Sequence, residues 1–214
     1  MFIQRIRVRF QKCGDLAAIS HLDLMRAFER ALRRTELPLR MTEGFNPRPR
    51  MSFPAALGVG IEGLDEVMEF DLSDWAALAE IERRLRAQLP PGLNLLSVEL
   101  AEPHRAALAR EVAYRITPRP DLKDDARIAA PALAELLARA EISVERLRKA
   151  KHKKVNLRPL IFSLDREGGD IVARFRAGPE GSAHPEEILA ALGFDLETRR
   201  GGFRIVRTQV LLAS

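Results

Sequence analysis

The chain has 214 residues, 46% of them hydrophobic and 30% charged, which is typical of a globular protein and excludes a largely disordered one. Its single cysteine, Cys13, excludes an internal disulfide and any zinc or iron–sulfur site built from cysteines of this chain alone. The net charge of +5, with 29 arginines against 6 lysines, favours an acidic partner such as nucleic acid, although a GC-rich genome produces the same arginine bias.

The N-terminal residues carry no export or membrane signal. Residues 1–10 alternate polar and apolar side chains and lack the continuous apolar run of a signal peptide. Elsewhere the apolar stretches are far shorter than the roughly 20 residues that a membrane span needs. We therefore expect a cytoplasmic protein that does not contact a membrane.

The first half of the sequence predicts two helices among strands. Residues 3–10 alternate as a strand with Arg5, Arg7 and Arg9 on one face. Ser20, with Asp23 three residues later, predicts the capped start of a helix over 21–35. The other predicted elements are strands over 39–43, 51–61, 64–72 and 93–102, and a helix over 75–89 capped by Ser73 or Asp74. This β-α-β-β-α-β order, with one added hairpin strand, is that of a ferredoxin-like unit.

The second half repeats this order after a predicted linker at 103–108. It predicts strands over 110–117, 141–148, 170–176 and 203–212, helices over 121–139 and 185–192, the latter capped near Ser182 or His184, and a segment over 157–164 that is either strand or helix. A basic connection separates 141–148 from 157–164. The sequence thus predicts an α+β protein with mainly antiparallel sheets, arranged as two tandem ferredoxin-like units over 1–104 and 109–214.

Polar and basic residues accumulate in two segments of the first half, 20–34 and 43–50. In a ferredoxin-like unit these segments lie at related edges of the sheet, so their side chains are expected to converge. The candidate binding residues are His21, Asp23, Arg26, Arg30, Glu43, Phe45, Asn46, Arg48 and Arg50. Helix N-termini and arginines bind phosphate, and a phenylalanine stacks on a base. The alternative is a capped helix and a rigid turn whose polar groups satisfy each other.

A second basic segment covers 146–158, where seven of thirteen residues are Lys or Arg and none is acidic. Such cations contribute salt-dependent affinity for a phosphate backbone. The candidate RNA-binding residues here are Arg148, Lys149, Lys151, Lys153, Lys154 and Arg158. The alternative is a solvated, flexible connection between strands. The arginine face of the first strand is a further candidate RNA platform, but it carries no aromatic residue, and water or a partner would cover it equally well.

The sequence contains no complete catalytic site. His21, His104, His152 and His184 do not show metal-ligand spacing, and no nucleotide fingerprint or Ser-His-Asp order is present, so we expect neither a metal nor a cofactor. His21 is the candidate general base if Asp23 or Glu43 lies near it. Cys13 is either a small core residue or a reactive thiol.

Several motifs resemble those of the bacterial radical-SAM-associated protein family. The matching segments are 7–14 (RVRFQKCG), 20–26 (SHLDLMR), 29–34 (ERALRR), 43–54 (EGFNPRPRMSFP) and 154–160 (KVNLRPL). Members of that family have no assigned activity and occur fused to, or encoded beside, a radical S-adenosylmethionine enzyme, often near a ribonuclease of the E/G type. This chain lacks the three-cysteine cluster motif of the radical enzyme, so the resemblance implies a stand-alone accessory protein with a separately encoded radical-SAM partner.

Three functions remain open at this point. The first is a non-catalytic accessory protein that binds RNA, such as tRNA or rRNA, and presents it to a radical-SAM RNA-modifying enzyme. The second is a protein–protein adaptor of that enzyme that does not contact RNA. The third is an RNA-processing enzyme that depends on His21.

Overall fold

The computed structural model describes residues 3–148, 151–178, 181–195 and 202–213, with the side chains of all of these except 147, 148 and 151. The chain divides into two compact units, residues 1–109 with 212–214 and residues 110–211. The fold is α+β, and its strand pairs are mainly antiparallel, which confirms these two parts of the predicted fold. No helix in the described ranges has both the length and the low polarity needed to cross a bilayer.

The first unit builds its core from one sheet and two helices. Its elements are β1 (Gln4–Lys12), α1 (His21–Arg34), β2 (Met51–Ser52), β3 (Glu62–Leu72), α2 (Leu78–Gln88) and β4 (Leu93–Ala101). β1 lies between β4 and β3 and is antiparallel to both, and β2 pairs antiparallel with β3. Ile6, Val8 and Phe10 of β1 are fully buried, because alternate side chains of a strand point to one face and here meet the apolar stripe of α1.

The capped start predicted for α1 is present. The Ser20 hydroxyl accepts a hydrogen bond from the Asp23 backbone N–H at 3.1 Å, which satisfies one of the unpaired donors of the first turn. Leu24, Phe28 and Leu32, spaced by one helical turn, are buried against the sheet.

The second helix begins later than predicted, at Leu78, and its N-cap is Ala77 instead of Ser73 or Asp74. The Gln4 side chain explains the delay, because its amide binds both the N–H and the C=O of Ala76 at 2.9 Å. These two bonds hold the backbone against β1 before the helix starts.

The predicted strand over 51–61 is wrong beyond Ser52, because only Met51–Ser52 pairs with β3. Pro54 has no N–H for a sheet bond, and Gly60 adopts a φ of 71°, so the chain turns away. β3 begins at Glu62, two residues before the predicted start of the strand over 64–72. The predicted strand over 39–43 is reduced to two isolated bridges, Leu39 with Leu72 and Met41 with Pro49.

The second unit contains a sheet, two helices and a separate hairpin. Its elements are β5 (Ala109–Pro118), α3 (Ala130–Ala138), β6 (Ser143–Arg148), β7 (Lys151–Asn156), β8 (Ile161–Glu167), β9 (Asp170–Arg176), α4 (Pro185–Ala191) and β10 (Phe203–Leu212). The strand order in the sheet is β10-β5-β9-β8, and β6 and β7 form the hairpin.

Two predictions for this unit are corrected. The helix over 121–139 shortens to Ala130–Ala138, since two 3-10 turns precede it and a proline near its N-terminus sets its start. The basic connection is instead strand β7, paired antiparallel with β6 over all six of its residues. The segment over 157–164 is a 3-10 turn at 158–160 followed by strand β8.

Candidate functional site

A cavity of about 440 Å³ opens beside α1 in the first unit, where the loop 40–50 and β3 complete its wall. This volume falls in the range of roughly 300–1,000 Å³ that is usual for small-molecule sites. Its charged lining consists of four arginines, Arg5, Arg26, Arg48 and Arg50, and two carboxylates, Glu29 and Asp71. Leu22, Met25 and Met51 contribute apolar wall. The cavity therefore combines an apolar body with mainly positive polar groups.

Backbone hydrogen bonds hold the loop 40–50 against β3. Arg40 N–H donates to the Asp71 carbonyl at 2.9 Å, and Asp71 N–H donates to the Arg50 carbonyl at 3.0 Å. Within the loop, Arg50 N–H donates to the Arg40 carbonyl at 2.8 Å, and Thr42 N–H donates to the Arg48 carbonyl at 2.7 Å. The Arg48 and Arg50 side chains consequently start from fixed backbone positions.

The tip of this loop is anchored to α1 and presents an aromatic side chain. An Arg33 guanidinium N–H donates to the Pro47 carbonyl at 2.6 Å. Glu43 and Asn46 are exposed, and Phe45 is completely exposed, with a relative accessibility of 106%. An apolar ring held in water by an ordered loop suits contact with a partner.

Of the exposed arginines that line the cavity, Arg26 is paired with a carboxylate, whereas Arg48 and Arg50 are not paired with any described residue. Arg26 pairs with Asp23 at 3.1 Å, and both side chains are exposed. Hydrogen bonds from the Ser20 hydroxyl, and then from Arg26, lower the pKa of the Asp23 carboxyl. Arg48 and Arg50 are exposed, and neither forms an ion pair within the part of the chain that the structure describes. These two guanidinium groups are available to an anion.

The inner end of the cavity is formed by Arg5 and Asp71, whose pairing local sequence patterns do not predict. Asp71 is 7% exposed, and its Oδ1 lies 3.7 Å from Arg5 Nε, which also binds Glu69 at 3.0 Å. β1 and β3 place Arg5 directly opposite Asp71 and Arg7 opposite Glu69. The sequence contains a sign of this pairing. Asp65, Glu69 and Asp71 are separated by even numbers of residues and so lie on one face of β3, as the arginines at 5, 7 and 9 do on β1.

The arginine face of β1 is neutralised within the first unit. Arg7 lies 2.9 Å from Glu69 and 3.4 Å from Glu99, and Arg9 lies 2.8 Å from Asp65. Glu69 is fully buried beneath these guanidinium groups. The predicted platform therefore has its charge balanced by neighbouring strands, and the phosphate-binding potential lies with Arg48 and Arg50.

Of the residues predicted to converge, Arg26, Arg48 and Arg50 line the cavity. His21 is half-buried, and its ring packs edge-on against Phe53 with 5.3 Å between centroids. It is not among the lining residues, so the cavity lends no support to its role as a general base. Arg30 lines a different cleft of about 290 Å³.

In the second unit, two residues of the basic run hold the hairpin in place. Arg146 Nε lies 2.5 Å from Glu187 on α4, and Arg146 Nη2 donates to the Ser182 carbonyl at 2.6 Å. Arg158 Nε donates to the Leu137 carbonyl at 2.6 Å at the end of α3. Both guanidinium groups are engaged in structural contacts.

The remaining described cations of the hairpin face solvent. Lys153 is exposed, and Lys154 lies 3.4 Å from Glu141, whose pKa the Ser143 hydroxyl and then Lys154 lower. Three further candidate RNA-binding cations cannot be assigned a position, because Lys149 and the side chains of Arg148 and Lys151 lie outside the described residues. Among its described side chains, the hairpin therefore presents the cations Lys153 and Lys154 to solvent.

Metal-ligating side chains do not cluster in the described ranges, where no group of three or more His, Cys, Asp or Glu is placed to hold an ion. Cys13 is half-buried, its Sγ lies 3.6 Å from the Gly92 carbonyl, and it accepts from the Asn94 side-chain amide at 3.4 Å. These contacts give the thiol a packing role at the end of β1.

Comparison with known proteins adds one family assignment. The family model described as an uncharacterized protein conserved in bacteria (DUF2344) matches residues 5–187. No curated protein matches the chain. A solved structure described as "An RAMP protein binding different RNA substrates" is 11% identical over 99% of this chain and 100% of its own, with a TM-score of 0.20, too low to indicate a shared fold.

Proposed function

The chain belongs to the bacterial family DUF2344, and from this premise we propose that it is a non-catalytic accessory protein that binds RNA and presents it to a separately encoded radical-SAM enzyme. RNA binding is supported by the rim of the cavity. There Arg48 and Arg50 are exposed on a hydrogen-bonded loop, and neither forms an ion pair with a described residue. Arginine binds phosphate through a planar fork of N–H donors, which makes an unpaired pair of this kind a phosphate site.

The exposed Phe45 at the tip of the same loop supports single-stranded RNA as the ligand. Base–aromatic stacking contributes about 1–3 kcal/mol per base and accepts any base, because every base has a π-face. An exposed ring beside arginines is the combination that single-strand binders use. The loop therefore offers a stacking position at its tip and phosphate contacts at its base.

The exposed pair Lys153 and Lys154 in the second unit extends the proposal to a second RNA contact. The radical-SAM partner rests on the resemblance of the SHLD, GFNP and NLRP segments described above, and transfer or ribosomal RNA is the proposed substrate of that partner. The accessory role follows from the same resemblance, since this chain lacks the cluster-binding cysteines.

We also propose that the chain forms two tandem ferredoxin-like domains, over 1–104 and 109–214. In such a unit the first strand lies between the third and the fourth, and the third lies beside the second. The order in the first unit, with β1 between β3 and β4 and β2 paired to β3, supports this reading. In the second unit β5 lies between β9 and β10, and β9 lies beside β8, if the β6–β7 hairpin is counted as an insertion.

The test is the salt dependence of binding to a single-stranded RNA of about 30 nucleotides, measured by filter binding. For single strands the slope of log K against log salt changes by about 0.7 for each phosphate contact. We expect Arg48→Gln and Arg50→Gln each to weaken binding and to reduce the slope by about that amount. Arg86→Gln is the matched control, because Arg86 is an exposed arginine on α2 that pairs with Glu82.

Absence of RNA binding at moderate salt would overturn the proposal. The exposed Phe45 would then favour the second candidate, a protein–protein adaptor, since a solvent-facing aromatic ring also suits a protein interface. Co-purification with the radical-SAM enzyme that survives nuclease treatment and is lost in Phe45→Ala would identify that function.

A further inference from the structure

A buried carboxylate at the inner end of the cavity has an unused acceptor. Asp71 is 7% exposed, and its Oδ1 has no hydrogen-bond donor among the residues that the structure describes. The nearest cation, Arg5 Nε, lies 3.7 Å away and is therefore beyond hydrogen-bond reach. Buried polar atoms are nearly always satisfied, because a missing partner is unfavourable there. A hydrogen-bond donor from outside the chain would satisfy Asp71 Oδ1.

The neighbouring groups are already committed and do not supply this donor. Arg5 Nε donates to Glu69 at 3.0 Å, and an Arg5 terminal nitrogen donates to the Ser52 hydroxyl at 3.4 Å. The backbone of Asp71 is fixed on both sides by its bonds to Arg40 and Arg50. The carboxylate is consequently held in place in the cavity wall with one acceptor unused.

The rest of the cavity is positively charged or apolar. Arg48 and Arg50 lie at its exposed side, and Met25 and Met51 contribute apolar wall. A matching ligand has hydrogen-bond donors at one end, a flat apolar body and an anionic group at the other end. A cationic ligand fits poorly, because four guanidinium groups surround the space.

We propose that this cavity binds a guanine nucleotide, with the N1–H and 2-amino donors of the base on Asp71 and the phosphate on Arg48 and Arg50. Guanine presents two adjacent donors to a carboxylate, whereas the amino groups of adenine and cytosine each lie beside a ring-nitrogen acceptor. The imino N–H of uracil lies between two carbonyls that the carboxylate repels. The inference rests on the proposed RNA function where the nucleotide is part of a strand, and it stands alone where the nucleotide is free.

The test compares fluorescence anisotropy of four labelled heptamers of uridine that carry guanosine, inosine, 2-aminopurine riboside or adenosine at the centre. Inosine lacks the 2-amino group, and 2-aminopurine lacks the N1–H donor. We expect the guanosine heptamer to bind about 5- to 100-fold more tightly than the adenosine heptamer, with the other two between them. Calorimetry with guanosine monophosphate and adenosine monophosphate shows whether the free nucleotide suffices.

The variant Asp71→Asn should remove the preference for guanosine, because its amide offers one acceptor and adds a donor. Asp65→Asn is the matched control, since Asp65 lies on the same strand and pairs with Arg9 outside the cavity. Circular dichroism checks that both variants fold, and the wild-type comparison of guanosine with inosine needs no variant.

The outcomes separate this inference from the proposed function. Equal affinity for all four heptamers overturns the guanine site and leaves RNA binding in place. Binding of guanosine monophosphate without binding of any RNA supports the site and overturns the RNA function. If neither RNA nor nucleotide binds, both ideas are wrong.

Discussion

At the scale of a single residue, Glu36 is strained. It follows α1 with a φ of 55°, in the left-handed region where a side chain is unfavourable and glycine is the usual residue. We expect Glu36→Gly to raise the free energy of unfolding by about 0.5–1 kcal/mol, measured by urea denaturation at pH 7. The bond from Arg84 to the Glu36 carbonyl uses the backbone and survives the change.

Arg34→Gly is the comparison for that variant, because Arg34 lies inside the last turn of α1 with ordinary helical geometry. A glycine there should lower the free energy of unfolding by about 1 kcal/mol. Equal destabilisation by the two glycines would show that backbone conformation at 36 is not the source of the strain.

At the scale of an element, the start of α1 depends on the ionisation of Asp23. The Ser20 hydroxyl donates to its carboxylate at 2.7 Å, and Arg26 lies 3.1 Å away, which together lower its pKa from 3.8. A depressed pKa in the folded state contributes stability above the unfolded value, and this contribution is lost as the pH falls through the folded value. The stability gap between wild type and Asp23→Asn should therefore be present at pH 7 and close below about pH 4.

Denaturation curves at pH 7, 5 and 3 measure that gap. Asp15→Asn serves as the control, because Asp15 is exposed in the same unit and no hydrogen bond of its side chain is described. If the Asp23→Asn gap stays constant down to pH 3, the carboxylate does not stabilise the helix start.

Elements defined by local chemistry were predictable from the sequence. The capped α1 and the alternating β1 were found because capping and alternation are properties of neighbouring residues. The start of α2 was missed because Gln4, far away in the sequence, binds the backbone at Ala76. The strand character of 151–156 was missed because polar residues on both faces of a hairpin give no alternation of burial.

At the scale of the whole molecule, the two units should contribute differently to RNAs of different length. Lys153 and Lys154 lie in the second unit and the cavity lies in the first, and we propose that a short oligonucleotide that fills the cavity contacts the first unit alone. We expect the double variant Lys153→Gln, Lys154→Gln to weaken binding of a 30-nucleotide RNA by about 5-fold per lysine at 0.1 M salt. Heptamer binding, measured by the same anisotropy assay, should be unchanged.

Unchanged binding of the long RNA would remove the hairpin from the interface. Arg48→Gln provides the contrast, since it should weaken both lengths. Loss of heptamer binding in the lysine variant would contradict the prediction that the heptamer contacts only the first unit.

The candidate site was partly accessible from sequence. Arg26, Arg48 and Arg50 were identified because their segments concentrate polar residue types, and the structure brings these three to one cavity. Arg5 and Asp71 were not recognised as partners, because their proximity depends on the register between β1 and β3 across more than sixty residues of chain. Long-range register is the information that local patterns lack.

The shared carboxylate of Glu69 has a consequence for evolution. It accepts from Arg5 and the Ala107 backbone N–H, both at 3.0 Å, and lies 2.9 Å from Arg7, all while fully buried. A substitution there removes the buried carboxylate partner of two guanidinium groups at once and leaves them only the longer carboxylate contacts to Glu99 and Asp71, so an accepted replacement at 69 requires changes at several positions. Invariance of position 69 among relatives would therefore reflect mutual dependence within the sheet and should not be read as a sign of ligand contact.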